Sequence, residues 1–172
     1  RGPDGEGTHV DGPLGLCHRR LAILDPGPAG AQPMRDADGR AWIAYNGECW
    51  NFRALRAELA ARGRAFAGGT DTEVVLAGFV ANGPAFVERL NGMFAFALWD
   101  AGESTLHLFR DRMGIKPLYW ARHAGRFLFA SEIRPLLEAG VPTEIDAEAL
   151  RQWLSLRYVP GPATLFRAVR RL

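Results

Sequence analysis

After Leu90 the apolar residues of this chain change their spacing, and that change limits the fold more than any other feature. Before it, Phe52, Leu55 and Leu59, then Val74, Val75, Leu76 and Phe79, recur as helices with a buried face require. After it, residues 93–99 (Met-Phe-Ala-Phe-Ala-Leu-Trp) meet an Ala101-Gly102 turn and residues 105–109 (Thr-Leu-His-Leu-Phe), which predicts a β-hairpin. Residues 117–121 and 126–130 predict a second hairpin. Two further strands are expected ahead of the helices, over residues 14–24 and 41–45. Strands, then helices, then four more strands exclude a βαβ repeat and call for an α+β layered domain.

Local signals place the boundaries. Asp25-Pro-Gly-Pro-Ala-Gly30 breaks the first strand. Asn46-Gly47 is a strong turn signal and is expected to end the second. Asn51 can cap the first helix and Gly63 can stop it. Thr70-Asp-Thr-Glu73 has a capping-box pattern, with Glu73 reaching back to the cap. Pro84 suits the first turn of a short helix burying Phe86, Val87 and Leu90. Ser131 can cap a helix carrying Ile133, Leu136 and Leu137. A last amphipathic helix is expected over residues 146–156, followed by a linker at residues 158–162.

Composition narrows the function. With 48% hydrophobic and 23% charged residues, 172 residues can build one core. A net charge of +2, spread rather than clustered, argues against nucleic acid. Cys17 and Cys49 are too few for a disulfide framework or a zinc site, so no metal is expected. No apolar run approaches the roughly 20 residues that cross a bilayer, and the sequence shows no signal-peptide pattern. The expectation is a cytoplasmic protein with reduced thiols and no membrane partner.

Polar groups stand where a core-building sequence would not put them: His18-Arg19-Arg20, Asn46-Gly47-Glu48, Asp71 and Arg110-Asp111-Arg112. Together an arginine fork, a carboxylate and free backbone N–H groups suit a zwitterionic amino acid. A guanidinium binds the α-carboxylate, an aspartate holds the α-ammonium, and Asn and Gly offer donors to an oxyanion. Spacing alone leaves ion pairing, a hairpin turn and helix-terminus charge equally open for these residues. The Arg110-Asp-Arg-Met-Gly114 segment reads as a strand-end ion-pair network, and His18 as a structural histidine.

Longer strings carry a resemblance. Arg1-Gly-Pro-Asp4, His18-Arg-Arg-Leu21, Gly30-Ala-Gln-Pro33, Tyr45-Asn-Gly-Glu48, Gly69-Thr-Asp-Thr-Glu73, Leu90-Asn-Gly-Met-Phe-Ala-Phe-Ala-Leu-Trp-Asp100, Arg110-Asp-Arg-Met-Gly-Ile-Lys-Pro-Leu-Tyr119 and Ala130-Ser-Glu132 resemble the class II glutamine amidotransferase domain of asparagine synthetases. The resemblance runs through nearly the whole chain in order. It implies an N-terminal-nucleophile hydrolase fold, an αββα sandwich of two antiparallel sheets between helical layers, with residues 1–140 as the amidotransferase domain. Residues 141–172 would be a helix and linker toward a synthetase domain. In that family an N-terminal cysteine attacks the glutamine amide, with its own α-amine as base. By position, Arg20 would bind the substrate carboxylate, with Leu21, Ala22, Ile23 and Leu24 lining the pocket. The Asn46 side chain and Gly47 N–H would form the oxyanion hole, and Glu48 and Asp71 would hold the α-amino group. The implied partners are L-glutamine and the synthetase domain, with homodimerisation left open. No cofactor is expected within residues 1–172; ATP and Mg would serve the synthetase domain.

Both ends read as cut, so the fold is expected to be incomplete at its N-terminus and the Met-Cys-Gly segment bearing the nucleophile to lie upstream of Arg1. Cys17 and Cys49 then read as packing residues. Gly68-Gly-Thr-Asp-Thr72 resembles a pyrophosphate loop, but Arg64-Ala-Phe-Ala67 is too poor a strand to precede one. The competing readings are a glutaminase-like module without catalysis, as in β-lactam synthetases, and an amidotransferase serving sugar or purine synthesis.

Overall fold

In the computed structural model, which describes residues 2–172, the chain divides into two units, Arg1–Asp111 and Arg112–Leu172. Arg1 of the opening motif lies outside the described residues.

The first unit begins with a hairpin of β1 (Gly5–Asp11) and β2 (Leu14–Arg20), turning at Gly12 with φ 53°. The spacing reading placed only β2 here and carried it to residue 24. β1 escapes notice because Gly5, Gly7, Glu6 and Asp11 give it no apolar run; its pairing with β2 defines it. The chain leaves the sheet after Arg20, where the Asp25-Pro-Gly-Pro-Ala-Gly30 turn imposes its own path.

β3 (Met34–Arg35), β4 (Ala41–Cys49), β5 (Gly92–Asp100) and β6 (Thr105–Arg110) form a four-stranded antiparallel sheet in that order. The expected turn at Asn46-Gly47 does not form. β4 runs through it, pairing Asn46 with Ala95 and Gly47 with Phe94. Gly47 is needed for a different reason: a Cβ there would collide with the Met93 carbonyl and Phe94 Cα.

Helices α1 (Phe52–Ala61) and α2 (Asp71–Asn82) cover one face of this sheet. Leu55, Leu59, Val74, Val75 and Phe79 pack with Ile43, Tyr45, Phe94, Phe96 and Leu98 in one buried cluster. Each such apolar side chain contributes about 1.5–3 kcal/mol on full burial. Gly78 seats Phe86, since a Cβ would overlap the Phe86 ring. On the sheet's other face the first hairpin docks through side chains. His9 stacks on Trp42 with ring centroids 3.6 Å apart, and Trp99 Nε1 donates to Asp11 at 2.9 Å.

Three expected caps differ in detail. Asn51 precedes α1 without capping it; its amide donates to Arg89 O and its Oδ1 accepts from Asn91 N, tying α1 to β5. Thr70 does cap α2, accepting from Glu73 N at 3.2 Å, but Glu73 reaches further back, to Ala67 N and Gly68 N. Ser131 is not a cap, because α3 (Ile133–Glu138) starts one residue later, after Glu132.

The second unit holds β7 (Tyr119–His123), β8 (Arg126–Ala130), α3 and α4 (Ala147–Leu156), the last capped by Asp146. β9 (Arg170–Arg171) pairs with β7, giving a sheet of order β8-β7-β9. Val141 and Val169 enter the same buried cluster as Ala121 and Leu136, so the segment after α3 helps build this unit's core.

Candidate functional site

The site begins with a strand edge. Along β4 the backbone groups of successive residues point to opposite sides. Trp50 N donates to Asn91 O, so the even-numbered residues face β5. The odd-numbered ones face outward: Ala41 exchanges hydrogen bonds with Asp36, and Tyr45 N donates to Gln32 Oε1 at 2.6 Å. His18 Nε2 donates to Tyr45 O at 3.1 Å, and Cys49 N donates to Asp71 Oδ2 at 2.8 Å. β3 reaches only as far as Ile43. Gly47 N–H therefore lies on this outer edge between two satisfied amides, with no hydrogen-bond acceptor among the described residues. The Asn46 side chain, half-buried on the opposite face from the helices, also has no partner among them. Two neutral donors are thus held on adjacent residues of a rigid strand, as oxyanion stabilisation needs.

Asp71 closes one end of this edge. It is the first residue of α2 and only 5% exposed, because Thr70 takes the capping position and turns it inward. Its two carboxylate oxygens accept from Cys49 N and from Thr72 N at 2.9 Å. Burial raises its pKa above the ordinary carboxylate value; those backbone bonds oppose the shift and the nearby Glu48 charge adds to it. Such a carboxylate gains by receiving a cation. The Tyr45 hydroxyl is buried near Asp71, and burial followed by the Asp71 charge raises its pKa too. His18 is held neutral by burial, which lowers its pKa, and serves as a strand-to-strand tie.

Arg20 ends β2 and turns its guanidinium onto the next loop. Nη1 donates to Gly27 O at 2.9 Å, and Nη2 donates to Leu24 O at 3.2 Å and to Asp25 O. Gly30 permits this approach, since a Cβ there would overlap Nη2. Three of the five N–H donors are thereby committed, including both on Nη2. The loop they fix is also held at its start, where Ala22 N donates to Asp4 at 2.9 Å. Leu21 and Ile23 stand 63% and 64% exposed, with Ala22 and Leu24 half-buried.

Asn46, Gly47, Glu48 and Asp71 come together as one end of the site. Arg20 and residues 21–24 form a separate element, the loop at the end of β2. Asp25 was missed by sequence reading. It adopts φ 48°, accepts from Gly27 N at 3.1 Å, and reaches across to accept from Gly69 N at 2.9 Å, two residues before Asp71. Its pKa is lowered by those two amides, Gly69 first. The Asp-Pro-Gly-Pro string announced a turn, but nothing in it announced a partner 44 residues away.

Neither cysteine suits nucleophilic attack. The Cys49 thiol is buried and its pKa is pushed up to about 11 by burial and the Asp71 charge. Cys17 is exposed mid-strand, opposite Thr8. Among the described residues no three His, Cys, Asp or Glu side chains converge as metal ligands would, and no helix is long and apolar enough to cross a membrane.

With this geometry in place, likeness to known proteins is informative. The family described as "glutamine amidotransferase domain" matches residues 1–172. The chain is 41% identical over 172 residues to asparagine synthetase [glutamine-hydrolyzing] 1 of Bacillus subtilis, covering 100% of this chain and 27% of that protein. It is 44% identical over 186 aligned residues to a putative asparagine synthetase [glutamine-hydrolyzing] of Mycobacterium tuberculosis, covering 100% of this chain and 28% of that protein. The chain thus spans little more than a quarter of the relatives it matches. Among solved structures, the glutamine phosphoribosylpyrophosphate amidotransferase of B. subtilis superposes with a TM-score of 0.63 at 24% identity, over 73% of this chain and 29% of that one. That likeness establishes the fold alone, an α+β fold shared with that amidotransferase.

Proposed function

The chain belongs to the glutamine amidotransferase domain family, and from that premise we propose that residues 1–172 bind L-glutamine for ammonia release within an asparagine-synthetase-like enzyme. The observation that carries this reading is the unpartnered Gly47 N–H, fixed between Tyr45 and Cys49 beside the buried Asp71. On this reading the Asn46 amide and Gly47 N–H meet the oxyanion, while Asp71 and Glu48 receive the α-ammonium. Arg20, with Leu21, Ala22, Ile23 and Leu24, meets the carboxylate end.

The donors left on Arg20 refine its role. With Nη2 committed to the loop, the side-on Nε/Nη2 fork is taken, so Arg20 builds the loop and meets the carboxylate through a single donor, Nε or the remaining Nη1 hydrogen. The nucleophile of the reaction is a cysteine with a free α-amine, a role for which Cys17 and Cys49 are unsuited. Ammonia would pass to a synthetase domain that uses ATP and Mg to convert aspartate to asparagine. α4 supports a partner in the same polypeptide, since Leu150, Trp153, Leu154 and Leu156 are 38–58% exposed along it.

Two measurements test this. Residues 1–172 by themselves should release no ammonia from glutamine; turnover that disappears in Cys17→Ala or Cys49→Ala would place the nucleophile within them. The full-length enzyme should form one glutamate per asparagine when glutamine is the nitrogen source. Synthesis supported by ammonia but never by glutamine would instead favour a glutaminase-like module without catalysis.

A further inference from the structure

Asp25 stands outside every role assigned so far, yet it joins the two separate elements of the proposed site. One carboxylate oxygen accepts from Gly27 N inside the loop and the other accepts from Gly69 N, just ahead of α2. Its own carbonyl accepts from Arg20 Nη2. A single residue thus ties the Arg20 loop to the helix that begins with Asp71. The surroundings are shaped to admit it. The Gly69 N–H lies 2.9 Å from Asp25 Oδ2, and the Gly27 N–H lies 3.1 Å from Oδ1. Asp25 also holds left-handed backbone, φ 48°, which Asp and Asn adopt more readily than other side chains.

We propose that Asp25 is a positioning residue for glutamine capture: its carboxylate sets the distance between the carboxylate-binding loop around Arg20 and the ammonium-binding Asp71. The two charged ends of an α-amino acid share one carbon, so their binding groups must hold a fixed separation. Neither end supplies it. Asp71 is fixed to β4 through Cys49 N, whereas the Arg20 loop follows β2 and has no ladder bond to α2. The Asp25–Gly69 bond is a direct tether between them. With the tether cut, Arg20 keeps its loop carbonyls, Asp71 keeps its amides and the loop's two ends stay tied to β4 through His18 and Gln32, but the loop between them is no longer held against Gly69. Glutamine then binds more weakly while chemistry on bound glutamine proceeds as before. This inference rests on the glutamine-site reading of Arg20 and Asp71.

Asp25→Ala and Asp25→Asn test this together. Asp25→Ala removes both bonds, whereas Asp25→Asn preserves left-handed backbone but has one acceptor oxygen for two amides, so it loses the Gly27 or the Gly69 bond and the carboxylate charge with it. Steady-state kinetics of the full-length enzyme should show glutamine KM raised about tenfold or more, the scale of a lost hydrogen bond to a charged group. kcat should stay within about threefold, the pattern of lost binding rather than lost catalysis. Hydrogen exchange should quicken in the segment containing Gly69. Asp25→Ala should show at least the same KM effect. An unchanged KM in Asp25→Ala would overturn the inference. So would kcat and the ammonia-supported rate falling together with it, which marks general damage to the fold. If wild-type enzyme shows no saturable use of glutamine, the glutamine-site reading fails and this inference fails with it. A wild type that saturates normally beside an indifferent Asp25→Ala removes the tether alone.

Discussion

The two ends of the proposed glutamine site are built by opposite means. At the β4 end the backbone is fixed by a sheet: residues 41–49 pair with residues 92–100, and only the outward amides are left for other uses. At the loop end the backbone is fixed by side chains, with Arg20, Asp25 and Asp4 donating to or accepting from loop main-chain groups. A strand holds its donors to within tenths of an ångström without further help, which suits transition-state stabilisation. A loop tied by a few side chains is more easily perturbed, which suits binding and release. Substitutions at the first end should therefore register in kcat and those at the second in KM.

The sharpest break would come at Asn46. Asn46→Ala leaves β4 paired and removes one oxyanion donor, so kcat of the full-length enzyme should fall about 10²–10³-fold with KM little moved. A fall in KM-limited rate alone would place Asn46 in ground-state binding and dissolve the contrast.

Arg20→Ala attacks the loop end. It removes a carboxylate partner and also leaves the carbonyls of Leu24, Asp25 and Gly27 without their donor. Glutamine KM should rise roughly 10- to 100-fold, from the loss of about 1.5–3 kcal/mol for hydrogen bonds to a charged group. Ammonia-supported synthesis should be spared, because ammonia bypasses this end. Equal loss of both activities would make Arg20 a purely structural residue.

How much of this was legible beforehand differs by element. The β5–β6 and β7–β8 hairpins and helices α1, α2 and α4 followed from apolar spacing, because their apolar side chains recur at the strand or helix period. β1 left none, since its identity lies in pairing with β2 and in His9 and Asp11 reaching Trp42 and Trp99. Asn46-Gly47 misled because the same dipeptide serves a tight turn and a strand needing a missing Cβ, and only the partner strand decides between them. In the site, Arg20, Asn46, Gly47, Glu48 and Asp71 were named through long motif strings rather than through physics. Asp25 stayed hidden because its function lies in one long-range hydrogen bond.

The smallest effect expected is a pH dependence that separates the two ends. Burial raises the Asp71 pKa, whereas the amides of Gly69 and Gly27 lower that of Asp25. On acidification Asp71 therefore takes up its proton before Asp25 and loses its hold on an ammonium. Because its folded pKa is raised, that protonation favours the folded state as pH falls through the raised value. Asp25 behaves oppositely: its contribution is present above the ordinary carboxylate pKa and is lost only as pH falls below it, through the lowered value. Glutamine kcat/KM should decline a few-fold in mildly acidic buffer while thermal stability holds. Asp71→Asn should start with raised KM and flatten that decline. Loss of stability and of kcat/KM in the same pH window would show that the two carboxylates do not titrate in this order.

The shortness of β3 has a consequence beyond catalysis. An uncovered strand edge is a template on which another chain can extend a sheet, and proteins ordinarily blunt such edges. Past Ile43 the outer edge of β4 would be such a template, yet His18 and Gln32 occupy the Tyr45 carbonyl and N–H, and Asp71 occupies the Cys49 N–H. A ladder needs repeated free groups along the strand, and these side chains interrupt the repeat. The same three side chains that frame the proposed oxyanion position thereby also blunt the edge of the sheet.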